Sequence, residues 1–297
     1  MTKKLLENKS IKEKLVCGFI GQGWVGKNYA DDFVERGFSV VRYGKEPEYA
    51  SNKDAIALCN IVFIAVPTPT TPKGFDDSII DEVLPLVGKG KIAVLKSTIL
   101  PGTTKKFQEK YSELTILYSP EFLSEDTAKY DTANPFASIV GLSQETDIHR
   151  KAGEQVLSVL PQAPFSLICS STEAEVFKYT HNTNGFVQII FFNMVYDLAQ
   201  SLGCDWSVIH GAIRADPFIP NRYSQPVHKS GRGAGGHCFI KDFAAFARLY
   251  EKTFPQDISG HKFLDANMEK NIELLTSTAK DLGLLSGVHG KDVLKGK

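Results

Sequence analysis

The sequence has no net charge, no closely spaced pair of cysteines and no long apolar run. Lys and Arg together number 34, as do Asp and Glu, and this balance indicates neither a nucleic acid nor an anionic membrane as a partner. Residues 186–198 form the most apolar segment, but Gln188, Asn193 and Asp197 interrupt it, and it is shorter than the roughly 20 residues that cross a bilayer. Residues 1–9 lack the apolar core of a signal peptide. We therefore expect a cytoplasmic protein without a membrane segment.

The few cysteines narrow the possible site chemistry further. The chain has five of them, Cys17, Cys59, Cys169, Cys204 and Cys238. Because no two form a CxxC pair, a disulfide framework and a zinc site are disfavoured, and no metal is predicted. A length of 297 residues with 42% hydrophobic and 23% charged residues is typical of a globular protein with one large or two smaller domains.

A glycine motif between a predicted strand and a predicted helix indicates a dinucleotide site. The apolar run 15–20 leads into Gly-Gln-Gly-Trp-Val-Gly at 21–26, and a helical pattern follows at 27–36. In this setting Gly21 allows the tight turn, Gly23 lets the backbone approach a pyrophosphate, and Gly26 lets the helix pack on the strand. The pyrophosphate is expected at the helix N-terminus, where unpaired N–H groups point at it.

The second predicted strand, 38–43, does not end in the Asp or Glu that usually binds the adenosine ribose. Arg42 and Lys45 could instead hold a 2′-phosphate, which would favour NADP, or both could be ordinary surface cations. Glu46 could still reach a ribose hydroxyl from a displaced position. NAD is the favoured cofactor, with NADP as the alternative.

Strands and helices then alternate through the first 170 residues. Further strands are predicted at 61–66, 92–96, 115–118, 137–140 and 165–169. This alternation predicts an α/β fold with a doubly wound, Rossmann-type parallel sheet, which binds ligands beyond the carboxyl ends of its strands. We therefore assign residues 1–170 to an NAD(P)-binding Rossmann domain.

The remaining residues, 171–297, predict an all-helical central domain for catalysis and dimerisation. A capping-box spacing, Thr172 to Glu175, predicts the start of a helix that continues to about residue 202. Lys178 and Asn182 are four residues apart and share one face of it. Shorter helices are expected at about 205–213, 240–252 and 260–282, with a loop at 214–237.

Cys238 follows a run of four glycines in six residues, Gly231, Gly233, Gly235 and Gly236. Such glycines let the backbone approach a ligand closely. We predict Cys238 at or just before the N-terminus of a helix, where the aligned peptide dipoles favour the thiolate. Asp242 would lie one turn further on the same face. The alternative is a buried, unreactive cysteine in a glycine-rich loop.

Taken together, the motifs resemble those of the UDP-glucose/GDP-mannose dehydrogenase family. The resemblance covers residues from about 16 to about 250. Arg222 also precedes Cys238 by the number of residues that separates an arginine from the cysteine in the family. The motifs, in the family's order, are GQGWVG (21–26), VPTP (66–69), STILPGTT (97–104), SPEFLSE (119–125), AEVFKYTHN (174–182) and GAGGHCFIKD (233–242).

The family oxidises a primary alcohol on a nucleotide sugar to a carboxylate with two NAD in succession. The resemblance implies that Cys238 attacks the intermediate aldehyde and that the resulting thioester is hydrolysed. It assigns an oxyanion-hole role to Lys178 and Asn182. Asp242 and Thr98 match residues that position and activate water.

The resemblance also implies two substrate-loop carboxylates, Glu121 and Glu125, one of them acting in proton transfer. The implied cofactor contacts are Gly21, Gly23, Trp24, Val25, Gly26, Arg42, Pro67, Thr68, Thr98 and Lys241. The implied substrate contacts are Phe122, Leu123, Arg222, Lys229 and Gly235.

The chain departs from the family pattern at Met194, where an acidic residue is frequent, and in its length. The family continues into a second Rossmann-like domain that binds the nucleotide half of the substrate, whereas residue 297 is 55 residues beyond Asp242. We expect a short form, with three explanations: a smaller alcohol or a differently held sugar nucleotide, a separate chain that completes the site, or a relic with little activity.

Two other functions stay open from the sequence. One is a two-electron hydroxyacid-type dehydrogenase in which Lys178 is the acid/base and Cys238 is incidental. The other is a non-catalytic NAD-binding partner protein. A homodimer through the central helix is expected from its long apolar run, unless that helix is fully buried within one chain.

Overall fold

The computed structural model describes residues 15–229 and 231–295, in two compact units. The first unit contains the chain as far as Thr68 together with Asp77–Lys178. The second contains Pro69–Asp76 and the chain from Tyr179 onward. The domain division predicted at residues 170 and 171 stays a prediction. A polar, partly helical lead-in predicted for residues 1–14 lies outside the described residues.

The strands and helices follow the predicted alternation through the first half. The strands are β1 (Val16–Ile20), β2 (Ser39–Tyr43), β3 (Ile61–Ile64), β4 (Thr70–Thr71), β5 (Gly74–Phe75), β6 (Ile92–Leu95), β7 (Thr115–Tyr118), β8 (Ala137–Leu142), β9 (Phe165–Ser170), β10 (Val227–His228) and β11 (Gly231–Arg232). The helices are α1 (Trp24–Glu35), α2 (Pro47–Ala50), α3 (Lys53–Ile56), α4 (Ser78–Val83), α5 (Thr103–Lys110), α6 (Ala128–Ala133), α7 (Asp147–Val159), α8 (Ser171–Ser201), α9 (Trp206–Ala215), α10 (Gly236–Thr253), α11 (Ile258–Ser277) and α12 (Leu282–His289).

A seven-stranded sheet in the order β2-β1-β3-β6-β7-β8-β9 forms the first unit. Strands β3 and β6 are buried along their whole length, as expected of parallel strands covered on both faces. The rings of Phe19, Phe33 and Phe63 pack with centroids 5.0 to 5.3 Å apart in the core against α1. Each such buried side chain contributes about 1.5–3 kcal/mol. The predicted α/β fold class is confirmed.

Two strands run against the prediction of a fully parallel sheet, because β9 pairs parallel with β8 and both run opposite to the other five strands. Strand β8 pairs antiparallel with β7, with Leu117 opposite Leu142 and Tyr118 opposite Gly141. All residues of β8 are buried. A continuous apolar run therefore reports burial on both faces and carries no information about strand direction, which is why the sequence pattern missed the reversal.

The start of α8 is capped by different residues from those predicted. Glu173 accepts hydrogen bonds from the backbone N–H and the hydroxyl of Ser170, so the capping box spans Ser170 and Glu173, and the prediction of Thr172 and Glu175 was wrong. Glu175 instead caps another helix. Its buried carboxylate accepts from the N–H groups of Gly102 and Thr104 and from the Thr104 hydroxyl, at 2.6 to 2.9 Å, at the N-terminus of α5.

The second unit is helical apart from two short antiparallel ribbons, β4–β5 and β10–β11. The all-helical prediction for residues 171–297 missed β10–β11. Its core includes Phe186 of α8 stacked on Phe243 of α10, with centroids 3.9 Å apart. The helix predicted at about 260–282 ends at Ser277, because Ala279 and Asp281 adopt positive φ angles of 53° and 52° and interrupt the regular backbone. A further helix, α12, begins at Leu282. Within the described residues, no helix has the length and apolarity needed to span a bilayer.

We predict that Glu175→Ala lowers the free energy of unfolding by about 2–4 kcal/mol, because it leaves buried N–H donors at the start of α5 without an acceptor. The matched variant Glu173→Ala removes an exposed cap and should cost about 1 kcal/mol or less. Urea unfolding followed by circular dichroism measures both. Equal losses in the two variants would contradict the assignment.

Candidate active site

The glycine turn after β1 has the backbone that a pyrophosphate requires. Gly21 has φ of +89°, and a Cβ there would overlap the carbonyl oxygen of Ala65. A Cβ at Gly26 would overlap the carbonyl oxygen of Gly21, so both positions need glycine. Gly23 caps α1 without a side chain and faces open space. The first N–H groups of α1 are thus approachable by an anion, and the residues fit a dinucleotide.

The side chains around this turn favour one form of the cofactor. Arg42 forms an ion pair with Asp31 at 2.7 Å, and this pairing partly neutralises the cation that was predicted to meet a 2′-phosphate. The carboxylate of Glu46 lies beside Gly44 and Gln22, at the end of β2 where an acidic residue is expected to bind a ribose. Glu46 was the displaced acid considered from the sequence, and its position favours NAD.

The other predicted cofactor residues of this unit lie close to the strand ends. Trp24 and Pro67 are exposed, and Val25 is half-buried. The hydroxyl of Thr68 donates to the carbonyl of Thr98 at 2.7 Å, which ties the turn after β3 to the turn after β6. Thr98 is buried.

Glu121 and Lys178 form a buried ion pair. The Lys178 ammonium donates to Glu121 Oε1 at 3.0 Å and to the Glu121 carbonyl, and Leu123 N–H donates to Glu121 Oε2 at 2.8 Å. Burial acts to raise the pKa of Glu121, but Lys178, the Leu123 N–H and Lys96 together hold that pKa below its usual value. Glu121 is therefore ionised at neutral pH and fixes Lys178.

The remaining predicted residues of the substrate loop differ in exposure. Phe122 packs between Phe136 and Phe177, with centroids at 4.8 and 5.6 Å. Glu125 is exposed to solvent, in contrast to Glu121.

Lys96 is a residue that the sequence reasoning missed. It follows β6, is 1% exposed, and donates to the carbonyl and hydroxyl of Ser119 at 3.1 and 3.3 Å. Its ammonium lies 4.0 Å from the ring centroid of Tyr29. Burial lowers the pKa of Lys96 to about 7, opposed by Glu121 and reinforced by Lys178. Its position next to the predicted Ser97-Thr98 turn could have indicated a site residue. It was passed over because lysine is usually exposed.

The second unit joins Asn182 of α8 to Asp242 of α10. Asn182 Nδ2 donates to Asp242 Oδ2 at 2.6 Å, and the Lys241 ammonium pairs with Asp242 Oδ1. Asp242 is 1% exposed. Both carboxylate oxygens are therefore engaged, and Lys241, predicted to contact the cofactor, holds Asp242.

Cys238 is the third residue of α10 and is exposed. Asp242 lies one turn further along the same helix, as predicted. The buried cysteines differ sharply from it: burial raises the pKa of Cys17 to about 12 and that of Cys59 to about 11, which makes them poor nucleophiles. The predicted substrate contacts Arg222 and Lys229 are also exposed in this unit, and Gly235 is the residue that precedes α10.

Four of the seven predicted catalytic residues thus lie in two contact groups, one in each unit. The first contains Glu121 and Lys178, with Lys96 beside them, and the second contains Asn182, Asp242 and Lys241. Lys178 of the first group and Asn182 of the second are both residues of α8, four positions apart in the sequence. In the described part of the chain, no cluster of three or more His, Cys, Asp and Glu side chains has metal-binding geometry.

Comparisons with known proteins match two regions of the chain. Residues 45–158 match the family model for the NAD binding domain of the UDP-glucose/GDP-mannose dehydrogenase family, and residues 172–284 match the model for its central domain. UDP-glucose 6-dehydrogenase of Campylobacter jejuni is 30% identical over 218 residues, which are 71% of this chain and 54% of that protein. The chain spans about half the length of the curated relatives it matches.

Two solved structures extend the comparison. A UDP-glucose dehydrogenase from the hyperthermophilic archaeon Pyrobaculum islandicum aligns with a TM-score of 0.73 and 26% identity, over 86% of this chain and 68% of that chain. A 3-hydroxyisobutyrate dehydrogenase from Mycobacterium tuberculosis aligns with a TM-score of 0.67 and 17% identity, over 93% of this chain and 98% of that chain. At 17% identity the second likeness concerns the fold alone.

We predict that Lys96 makes folding stability depend on pH above neutrality. Between its folded pKa of about 7 and the ordinary lysine value of 10.5, the unfolded chain holds a proton on this residue that the folded chain has lost. The free energy of unfolding therefore rises with pH in this window, by at most about 1.4 kcal/mol per pH unit from this one group.

The variant Lys96→Met should lose that part of the rise, whereas Lys89→Met, at an exposed position, should keep it. Urea unfolding at about pH 7.5 and about pH 9.5 measures the difference. The same pH dependence in both variants would contradict the position assigned to Lys96.

Proposed function

The chain belongs to the UDP-glucose/GDP-mannose dehydrogenase family, and from that premise we propose that it oxidises a primary alcohol of a nucleotide sugar to a carboxylate, as in UDP-glucose to UDP-glucuronate, with NAD. The single observation that carries the four-electron reaction is the exposed Cys238 in the first turn of α10, one turn before an Asp242 fixed by Asn182. We carry the domain roles as part of the proposal: residues 1–170 bind the cofactor, and residues 171–297 provide the catalytic helices.

The cofactor site lies in the first unit. The backbone of Gly21, Gly23 and Gly26 holds the pyrophosphate at the start of α1, and Glu46 meets the ribose. When bound, NAD supplies the hydride acceptor for each of the two oxidations. Arg42, paired with Asp31, leaves NADP the less favourable form.

Cys238 provides the covalent step. The first oxidation converts the alcohol to an aldehyde, and the Cys238 thiolate adds to the aldehyde carbon to form a thiohemiacetal. The second oxidation gives a thioester. Water attacks the thioester carbon, the C–S bond breaks, and the carboxylate and the thiol of Cys238 are released. The first-turn N–H groups of α10 favour the thiolate that starts this sequence.

Lys178 and Asn182 stabilise the oxygen that becomes negative when sulfur or water adds to the carbonyl carbon. Glu121 supports this role because its ionised carboxylate orients the Lys178 ammonium. Thr98 and Asp242 position the hydrolytic water in the proposal. The proposal gives the proton-transfer role to Glu125, because it is exposed to solvent whereas Glu121 is held by Lys178 and the Leu123 N–H.

The decisive test is the yield of NADH per molecule of UDP-glucose consumed. We expect two equivalents from the native chain and a loss of more than about 100-fold in rate for Cys238→Ala. Cys204→Ala removes the other exposed cysteine and should keep both equivalents. A panel of other sugar nucleotides, free sugars and NADP defines the substrate and cofactor.

Other outcomes point to the alternatives. One equivalent that Cys238→Ala leaves unchanged would favour a two-electron hydroxyacid-type dehydrogenase with Lys178 as acid/base. An absence of turnover with every compound, together with retained NAD binding, would favour a non-catalytic protein or a site completed by another chain.

We also propose a homodimer through α8. Phe191, Met194 and Leu198 are between 55% and 60% exposed, and their spacing places them on one face of the helix. Leu202, 69% exposed, extends the stripe just past the helix end. An apolar stripe of this length on one helix is typical of a buried contact, and the opposing stripe of a second copy matches it in chemistry.

We predict that Leu198→Glu yields a monomer, because two copies of the charge would be buried against each other. Phe218→Glu, at a loop position that is 91% exposed, is the matched control and should leave the mass unchanged. Light scattering after size exclusion measures both. A monomeric native chain would contradict the dimer.

A further inference from the structure

The glycines before Cys238 make room for side chains of the protein's own chain. A Cβ at Gly231 would overlap Thr278. A Cβ at Gly233 would lie 2.9 Å from Asn271 Oδ1, and one at Gly235 would overlap the carboxylate of Asp281. The sequence reasoning expected these glycines to admit a ligand. Three of them instead admit residues of α11 and of the turn that follows it.

These side chains hydrogen-bond to the backbone of the glycine loop, 231–236, at successive points. We call Asn271, Thr278, Lys280 and Asp281 the clamp. Thr278 accepts from Arg232 N–H at 3.1 Å, and the Lys280 ammonium donates to the Gly233 carbonyl at 2.9 Å. The Asn271 amide pairs with both the N–H and the carbonyl of Ala234, at 2.7 and 3.1 Å. The clamp therefore provides hydrogen-bond partners for backbone groups between β11 and the start of α10.

Asp281 provides the contact nearest to Cys238. It occupies the position before α12, yet its carboxylate makes no capping bond to that helix. Instead Asp281 Oδ2 accepts from the N–H of Gly236, the first residue of α10, at 2.8 Å. Gly235, which precedes α10, has no side chain with which to cap it. The cap of the cysteine-bearing helix thus comes from a residue 45 positions later in the chain.

The backbone of the turn between α11 and α12 adopts an unfavourable conformation in this arrangement. Ala279 and Asp281 both have positive φ angles, 53° and 52°, although neither is glycine. Such conformations persist only where the surroundings enforce them, and they concentrate at functional sites. From the other side, Arg232 anchors the loop to α8 through Asn193, at 2.8 and 3.1 Å, and through Asp197 at 2.7 Å.

We propose that the clamp fixes the glycine loop and the first turn of α10, so that Asn271 and Asp281 are positioning residues for the chemistry of Cys238. The catalytic role of the clamp rests on the proposed function. Its effect on the geometry and reactivity of the Cys238 thiol does not depend on that function, because it is present with or without a substrate.

The test compares two variants that both remove the charge of residue 281. Asp281→Asn keeps an acceptor for Gly236 N–H, and Asp281→Ala removes it. Alkylation by iodoacetamide in the native protein is followed by peptide mass spectrometry, with exposed Cys204 as the internal reference. We expect the ratio of Cys238 to Cys204 rates in Asp281→Ala to be at least about threefold below that in Asp281→Asn. Glu273→Ala, an exposed position on α11, should keep the native ratio.

A pair of glycine variants covers the case in which Asp281→Ala fails to fold. Gly235→Ala places a methyl group where the Asp281 carboxylate lies, and Gly283→Ala places one in open space. Only the first should lower the Cys238 rate and speed amide hydrogen exchange at 234–240. Equal Cys238 rates within each pair would overturn the proposal. If Cys238→Ala retains full turnover, the proposed function fails, and the alkylation ratios still decide the clamp.

Discussion

The hydrogen bond between Asn182 and Asp242 is the contact on which the arrangement of the candidate site depends. It joins α8 to α10 through two buried side chains at 2.6 Å. Breaking it would leave a buried carboxylate with one partner fewer, which is costly in a low-dielectric interior. Each of the two helices carries a further residue of the proposed mechanism, Lys178 on α8 and Cys238 on α10. The bond therefore fixes the register of two helices whose side chains the proposed reaction uses.

Each reactive side chain is held by groups that take no direct part in the chemistry. Lys178 is oriented by Glu121, and Lys96 helps to keep Glu121 ionised. Asp281 caps the helix that carries Cys238, by accepting from the N–H of Gly236. The side chains of the proposed mechanism thus lie on helices, and polar side chains packed beside them hold them in place. Such an arrangement keeps catalytic geometry within narrow limits.

The sheet and the cofactor turn could be predicted from the sequence, because each leaves a local pattern, and the roles of the site residues stay predictions. The turn at Gly21 to Gly26 lies between a strand and a helix, and Cys238 lies in a glycine run. The reversal of β8 and β9 was missed, because an apolar run such as that of β8 reports burial alone and not strand direction. Asp281 and Asn271 were missed because they act about 40 residues from the loop they hold, as ordinary polar residues without a spacing rule. The capping box of α8 was placed two residues too late, because Ser170 and Thr172 each have a glutamate three residues later and both pairs match the capping-box spacing.

The central claim, a covalent intermediate on Cys238, is tested most directly by trapping it. Asp242→Asn should slow hydrolysis, so that this variant, mixed with NAD and UDP-glucose and quenched in acid, accumulates a thioester. Mass spectrometry should then find the uronosyl nucleotide mass added to the peptide that contains Cys238, and none on the peptide that contains Cys204. Release of two NADH per UDP-glucose by Cys238→Ala at the native rate, with no adduct in Asp242→Asn, would contradict the account.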